Sequence, residues 1–132
     1  MKSPKMSELE MSKLWSKAWA AGEEAVKGVV PDVMIVTQHK NMADDNSPVD
    51  KQWIVPDGPC GFAWVQIKPG NSRFANFLKK EDLARPDSYL GGVSIWVSAY
   101  NQSMQRKEAH ARAMAEVFRE AGINAWAMSR MD

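Results

Sequence analysis

The stretch Cys60-Gly61-Phe62-Ala63-Trp64-Val65-Gln66-Ile67, entered from Pro59 and stopped by Lys68-Pro69-Gly70, decides the fold class. Its aromatic and β-branched residues, bounded by prolines that cannot join a ladder, read as a strand. Downstream, Asn71 or Ser72 is placed to cap a short helix whose Phe74, Phe77 and Leu78 share one side, and this helix fades near residues 80 to 83. Pro86-Asp87-Ser88 opens a turn. After Gly91-Gly92, the residues Val93, Ile95 and Val97 alternate with Ser94, Trp96 and Ser98, which predicts a strand with one partly exposed face. A helix follows from about Ser103 to Ala121, with Ala111, Met114, Val117, Phe118 and Ala121 on one face and Gly122 at the cap. Ile123 to Met128 closes the chain as a strand. Helices that join consecutive strands predict some parallel pairing through crossover connections.

Upstream of the deciding stretch, Ser7 and Glu10 form a capping box. They precede an apolar series, Met11, Leu14, Trp15, Ala18, Trp19, Gly22, Ala25 and Val26, at helical spacing. A helix over 8–27 is expected, capped by Gly28 and ended by Pro31. Val33-Met34-Ile35-Val36 suits a buried strand. Residues 39–51, HKNMADDNSPVDK, carry no periodicity and read as a mobile surface loop. Gln52 to Val55 is a short strand, and the turn signal Pro56-Asp57-Gly58-Pro59 predicts a hairpin between it and residues 60–67. With residues 1–7 as a flexible N-terminus, the chain reads as one α+β domain over 1–132. Its order is α-β-β-β-α-β-α-β, a mixed sheet packed with about three helices.

Composition agrees with a self-sufficient domain. The chain has 132 residues, 45% apolar and 25% charged, with 17 Lys plus Arg against 16 Asp plus Glu and one cysteine. That length supports a core without metals or disulfides, and a charge of +1 gives no general attraction to polyanions. A single cysteine and the lack of an apolar leader point to a reducing cytoplasm. No stretch approaches the roughly 20 apolar residues that cross a membrane.

Candidate sites carry competing bland readings. Cys60 needs a histidine to become a thiolate nucleophile, with His39 and His110 the available ones, and an inert buried cysteine is the stronger reading. Asp44, Asp45, Asp50 and Asp57, with His39 near, match no metal-ligand spacing and read as a solvated acidic loop, so no metal or other cofactor is expected. Lys68, Arg73, Lys79, Lys80 and Arg85 oppose only Glu81 and Asp82, which makes this segment the best anion-facing patch. Phe74 and Phe77 interleave with it as in single-strand nucleic-acid binders, although their spacing also fits a core face. Lys68 to Ser72 lacks the glycine pattern of a phosphate loop. Gln102, Arg106, Lys107, Arg112 and Arg119 alternate with Glu108, Glu116 and Glu120 and read as the solvated side of a helix, with His110 at its boundary. No catalytic constellation is visible in the spacing, which favours binding over catalysis. Six tryptophans exceed what one small core needs. Trp53, beside the loop, and Trp96, on the polar phase of its strand, are the expected exposed anchors.

The run from Val55 to Val65, the segment Gly91 to Ser98, and Ala121-Gly122-Ile123 with Ser129-Arg130-Met131-Asp132 are similar to a group of small uncharacterised proteins encoded by tailed bacteriophages. The similarity spans about residues 8 to 132. It assigns no role to any residue and implies only an origin, a non-structural protein of the infected bacterial cytoplasm. Small phage proteins of that kind often bind a host component. The leading expectation is therefore stoichiometric binding to a host protein through Trp53, Trp96, Asp44, Asp45 and Asp50. Nucleic-acid binding through Lys68, Arg73, Lys79, Lys80 and Arg85 is the alternative, and a small enzyme or ligand-sequestering protein centred on Cys60 is the third. The chain is expected as a monomer or homodimer.

Overall fold

Ser7 accepts from the Glu10 N–H while the Glu10 carboxylate takes the Ser7 N–H, so the capping box starts helix α1 (Glu8–Val26) where the sequence puts it. The structure, a computed structural model, describes residues 5–31, 58–100 and 103–132, together with the backbone of 34–39 and 49–55. The chain continues through β1 (Met34–His39), β2 (Val49–Val55), β3 (Gly61–Ile67), α2 (Arg73–Lys80), β4 (Arg85–Pro86), β5 (Val93–Trp96), α3 (Met104–Glu120) and β6 (Ala125–Met131). Ser72 and Ser103 cap α2 and α3 by accepting the N–H groups of Ala75 and Arg106. Gly122, with φ 86, ends α3 in the left-handed conformation that glycine tolerates. Gly28 does not adopt it; α1 instead unwinds through a turn in which Val29 N–H donates to Val26.

Strands β4-β5-β3-β6 form one four-stranded sheet, and β1-β2 form a separate two-stranded ladder. The chain is thus an α+β fold with the element order read from the sequence, plus the short β4. Every pairing is antiparallel, so the expected parallel neighbours are not found. The reason lies in adjacency. Helix α2 carries the chain from β3 to β4 and α3 carries it from β5 to β6, which leaves the strands of each pair parallel. β5 lies between the first two and β3 between the second two. This is the strand order of the split β-α-β, ferredoxin-like arrangement. The expected hairpin between residues 52–55 and 60–67 is also replaced, because β2 pairs with β1 and not with β3.

Two further boundaries shift. His39 and Val49 to Lys51, read as part of a surface loop, belong to β1 and β2; a ladder runs on through polar residues because its bonds are backbone bonds. Residues 40–48 and the N-terminal residues 1–4 lie outside the described residues. Strand β4 went unread because two exposed residues, one of them proline, have no periodicity to detect.

The core lies between one face of the sheet and the helices. Ala63, Val65 and Ile67 of β3, Val93 and Ile95 of β5, then Val97, meet Ala111, Met114, Ala115 and Phe118 of α3 and Phe74 and Leu78 of α2. Helix α1 packs on α3. No described helix is long and apolar enough to cross a membrane.

Candidate functional site: the open face of the sheet

Because side chains alternate along a strand, the residues opposite to this core face share the other side of the sheet. The register sorts them into rows. Arg85 of β4 stands opposite Ser94, Ser94 opposite Gln66, and Gln66 opposite Trp126. In the next row Trp96, Trp64 and Met128 lie side by side, and Phe62 pairs with Arg130. Among the described residues no helix lies on this face. Trp96 is 44% exposed, while its neighbour Trp64 is buried beneath it. The two indoles stack at 4.7 Å and 26°, and Phe62 meets the Trp96 ring edge-on at 6.0 Å.

A buried polar network fixes this platform. Trp64 Nε1 donates to Gln66 Oε1 at 2.9 Å, and Ser94 Oγ donates to Asp87 Oδ2 at 2.9 Å. Gln66, fully buried, also donates through its amide to the Gly91 carbonyl. Asp87 accepts from the backbone N–H groups of Leu90 and Tyr89 at 2.8 and 3.0 Å. Those bonds, the Leu90 N–H first and the Ser94 hydroxyl next, hold the Asp87 carboxyl below its ordinary value. The 87–92 turn is thereby tied to the sheet, and its crossing beneath Lys68-Pro69-Gly70 requires glycine. A Cβ on Gly92, whose φ is +72°, would lie 2.1 Å from the Ile67 carbonyl oxygen.

Two hollows flank Trp96. One, of about 390 Å³, is bounded by Trp64, Leu90, Trp96, Met128, Arg130 and the 93% exposed Tyr89. The other, of about 500 Å³, lies toward β4 between Trp96, Ser98, Ser94 and Arg85. Arg130 lies over the Phe62 ring at 5.4 Å and Lys68 over the Trp126 ring at 5.9 Å. Neither Arg85 nor Arg130 meets a carboxylate among the described ion pairs.

The sequence-derived candidates divide accordingly. Trp96 and Arg85 sit on the open face and Lys68 at its margin. Lys79 instead donates to the Gly70 carbonyl and Lys80 pairs with Glu8 on α1, while Arg73 is exposed on α2. Phe74 and Phe77 are core residues. Trp53 and Asp50 lie in β2, where only the backbone is described, and Asp44, Asp45 and Asp57 lie outside the described residues. Cys60 is exposed, contrary to the buried reading, since it precedes β3 and only its backbone joins the sheet end, accepting from the Asp132 N–H.

Two residues of α3 also depart from expectation. Lys107, placed on the solvated side, is buried with its ammonium on the Gly61 carbonyl at 3.3 Å and over the Phe62 ring. His110, placed at a boundary, is fully buried with Nδ1 hydrogen-bonded to the Tyr100 hydroxyl at 2.7 Å, and its Nε2 has no partner. Its room comes from Gly22 of α1, where a Cβ would stand 2.5 Å from the imidazole. Burial pushes the His110 pKa down, against a smaller opposing pull from Glu23.

No protein-family model matches the chain, and no curated protein or solved structure matches it significantly.

Proposed function

We propose that the chain binds single-stranded nucleic acid on the open face of its four-stranded sheet. The observation that carries this reading is the half-exposed Trp96, stacked on Trp64 across the two central strands and bordered by Arg85 on one edge strand and Arg130 on the other. A base has a π face that stacks on indole whatever its identity, and cations on either side suit a backbone with one phosphate per nucleotide. The Gln66–Ser94–Asp87 network holds the platform before a ligand arrives, which lowers the ordering cost of binding. Of the basic segment singled out in the sequence, this reading keeps Lys68 and Arg85 and releases the α2 cations.

Titration of dye-labelled single-stranded and duplex oligonucleotides at low salt tests it. Binding is expected for single strands, with log affinity falling by about 0.7 per neutralised phosphate for each tenfold rise in salt. Trp96→Ala and Arg130→Ala are expected to weaken it. No binding at low salt, or binding indifferent to both substitutions, sinks the proposal.

One observation favours a second reading, in which the same face anchors a host protein. The hollow beside Trp96 is lined mainly by Trp64, Leu90, Met128 and the outstanding Tyr89, an apolar pocket of the sort that receives an interface anchor. The phage resemblance supplies the bacterial host as the source of such a partner. Capture from bacterial lysate with and without nuclease separates the two readings, because a protein partner survives nuclease and is lost in Trp96→Ala and Tyr89→Ala.

A further inference from the structure

The two edges of the sheet are built differently. β4 is blunted, with two residues, Arg85 and Pro86, the second lacking an N–H, which is how sheets discourage edge pairing. β6 has seven residues, Ala125-Trp126-Ala127-Met128-Ser129-Arg130-Met131, with no proline and one charge, and Met131 is two-thirds exposed. Asp132 N–H donates to Cys60 and Asn124 accepts from Lys68, so the even-numbered residues turn their backbone groups toward β3. The odd-numbered ones, Ala127, Ser129 and Met131, point theirs away from it, where no described strand lies. Among the described residues only the Ala125 carbonyl is taken, by Arg119 Nη1 at 2.9 Å.

The geometry points to a symmetric dimer in which the outer edge of β6 pairs antiparallel with the same edge of a second copy, centred on Met128. In that register Ala127 of one protomer faces Ser129 of its partner, and the two such pairs exchange four backbone hydrogen bonds. The Arg119-capped Ala125 carbonyl ends the ladder. On the open face, Trp126 of each copy comes opposite Arg130 of the other, a guanidinium against an indole. The two Arg130 side chains stay at opposite ends. Centring on Arg130, which shares the phase of Met128, would instead set the two guanidiniums directly opposite one another, an arrangement that like charges disfavour. The edge is thus self-complementary in hydrogen bonding and in charge, which selects a second copy as its occupant. The dimer is independent of the nucleic-acid reading, although it would join two open faces into one surface.

Sedimentation up to about 100 μM, the range of a small and weak interface, is the test. The wild-type chain is expected to reach twice its 14.8 kDa mass, and Ser129→Pro to stay monomeric with an unchanged circular dichroism spectrum, because proline is tolerated where a strand N–H faces outward. Oxidation of Met128→Cys in a Cys60→Ser background supplies a readout that does not depend on the proline variant folding. At the symmetry centre the two new thiols lie within disulfide reach, and a rapid covalent dimer is expected. A monomeric wild type at 100 μM overturns the inference. So does a folded Ser129→Pro that still dimerises, or Met128→Cys that cross-links no faster than the Cys60→Ser parent.

Discussion

Trp96 lies over Trp64 with ring centroids 4.7 Å apart, one indole half in solvent and the other nearly sealed from it. The pair therefore separates two roles by depth. Trp64→Ala removes a buried indole and is expected to cost about 3–5 kcal/mol of stability. Trp96→Ala should leave the fold close to wild type and weaken single-strand binding by about 1–3 kcal/mol, the value of one stacked base. Urea unfolding and oligonucleotide titration on both variants check this. Equal loss of stability in the two would remove the division.

Gln66 is expected to matter more than its neutral side chain suggests. It accepts from Trp64 Nε1 and donates to the Gly91 carbonyl, the first bond buried and the second partly so, while the Ser94 hydroxyl, donating to Asp87, lies 3.4 Å from Gln66 Oε1. Gln66→Leu keeps much of the volume and strands those groups, with an expected loss of about 1–3 kcal/mol from the unsatisfied indole N–H and carbonyl. Ser94→Ala should cost less, since Asp87 keeps its two backbone donors. Denaturant midpoints rank the two variants, and a Gln66→Leu protein as stable as wild type would show that water enters the network.

Gly22 presents a conflict between local and tertiary preference. Alanine in a helix interior gains up to about 1 kcal/mol over glycine, yet a Cβ here would stand 2.5 Å from His110. That ring cannot swing aside freely, being held by Tyr100 and edge-on to Trp19 at 4.4 Å. Overpacking of this kind costs about 1–3 kcal/mol, so Gly22→Ala is expected to be destabilising on balance. In the His110→Ala background the same change should become neutral or stabilising. A double-mutant cycle on thermal unfolding checks the pair, with a coupling above about 0.5 kcal/mol expected.

These relationships mark where sequence reading succeeds and where it stops. The alternation of Val93, Ile95 and Val97 with Ser94, Trp96 and Ser98 already contains both faces of β5, and the capping serines place helix starts, because both signals are local. That Trp64 stands beside Trp96 is not local: it depends on β5 lying next to β3, and nothing in the spacing of residues 60–98 fixes that adjacency. Lys107 and His110 fall at helical positions that look like surface and boundary. Their burial is set by the Gly61 carbonyl and by the missing Cβ of Gly22, each far away in sequence. The basic run 68–85 shows the converse, since its charges are adjacent in sequence but are divided in space between α2 and the sheet.

His110 should also make stability depend on pH. Burial lowers its pKa, so the folded state keeps the ring neutral where the unfolded chain, with an ordinary value of about 6.5, takes up a proton. Above pH 6.5 neither state binds that proton and the stability is fully present. As pH falls below 6.5 the unfolded state is favoured, by up to about 1.4 kcal/mol per pH unit until the folded ring also titrates. Glu23 on α1 opposes the shift and shortens this window without reversing its sign. His110→Leu, which keeps an apolar filling beside Trp19 and Gly22, is expected to flatten the profile between pH 7 and 5. Urea unfolding at half-unit pH steps measures it, and an unchanged slope in His110→Leu would assign the acid sensitivity to another group.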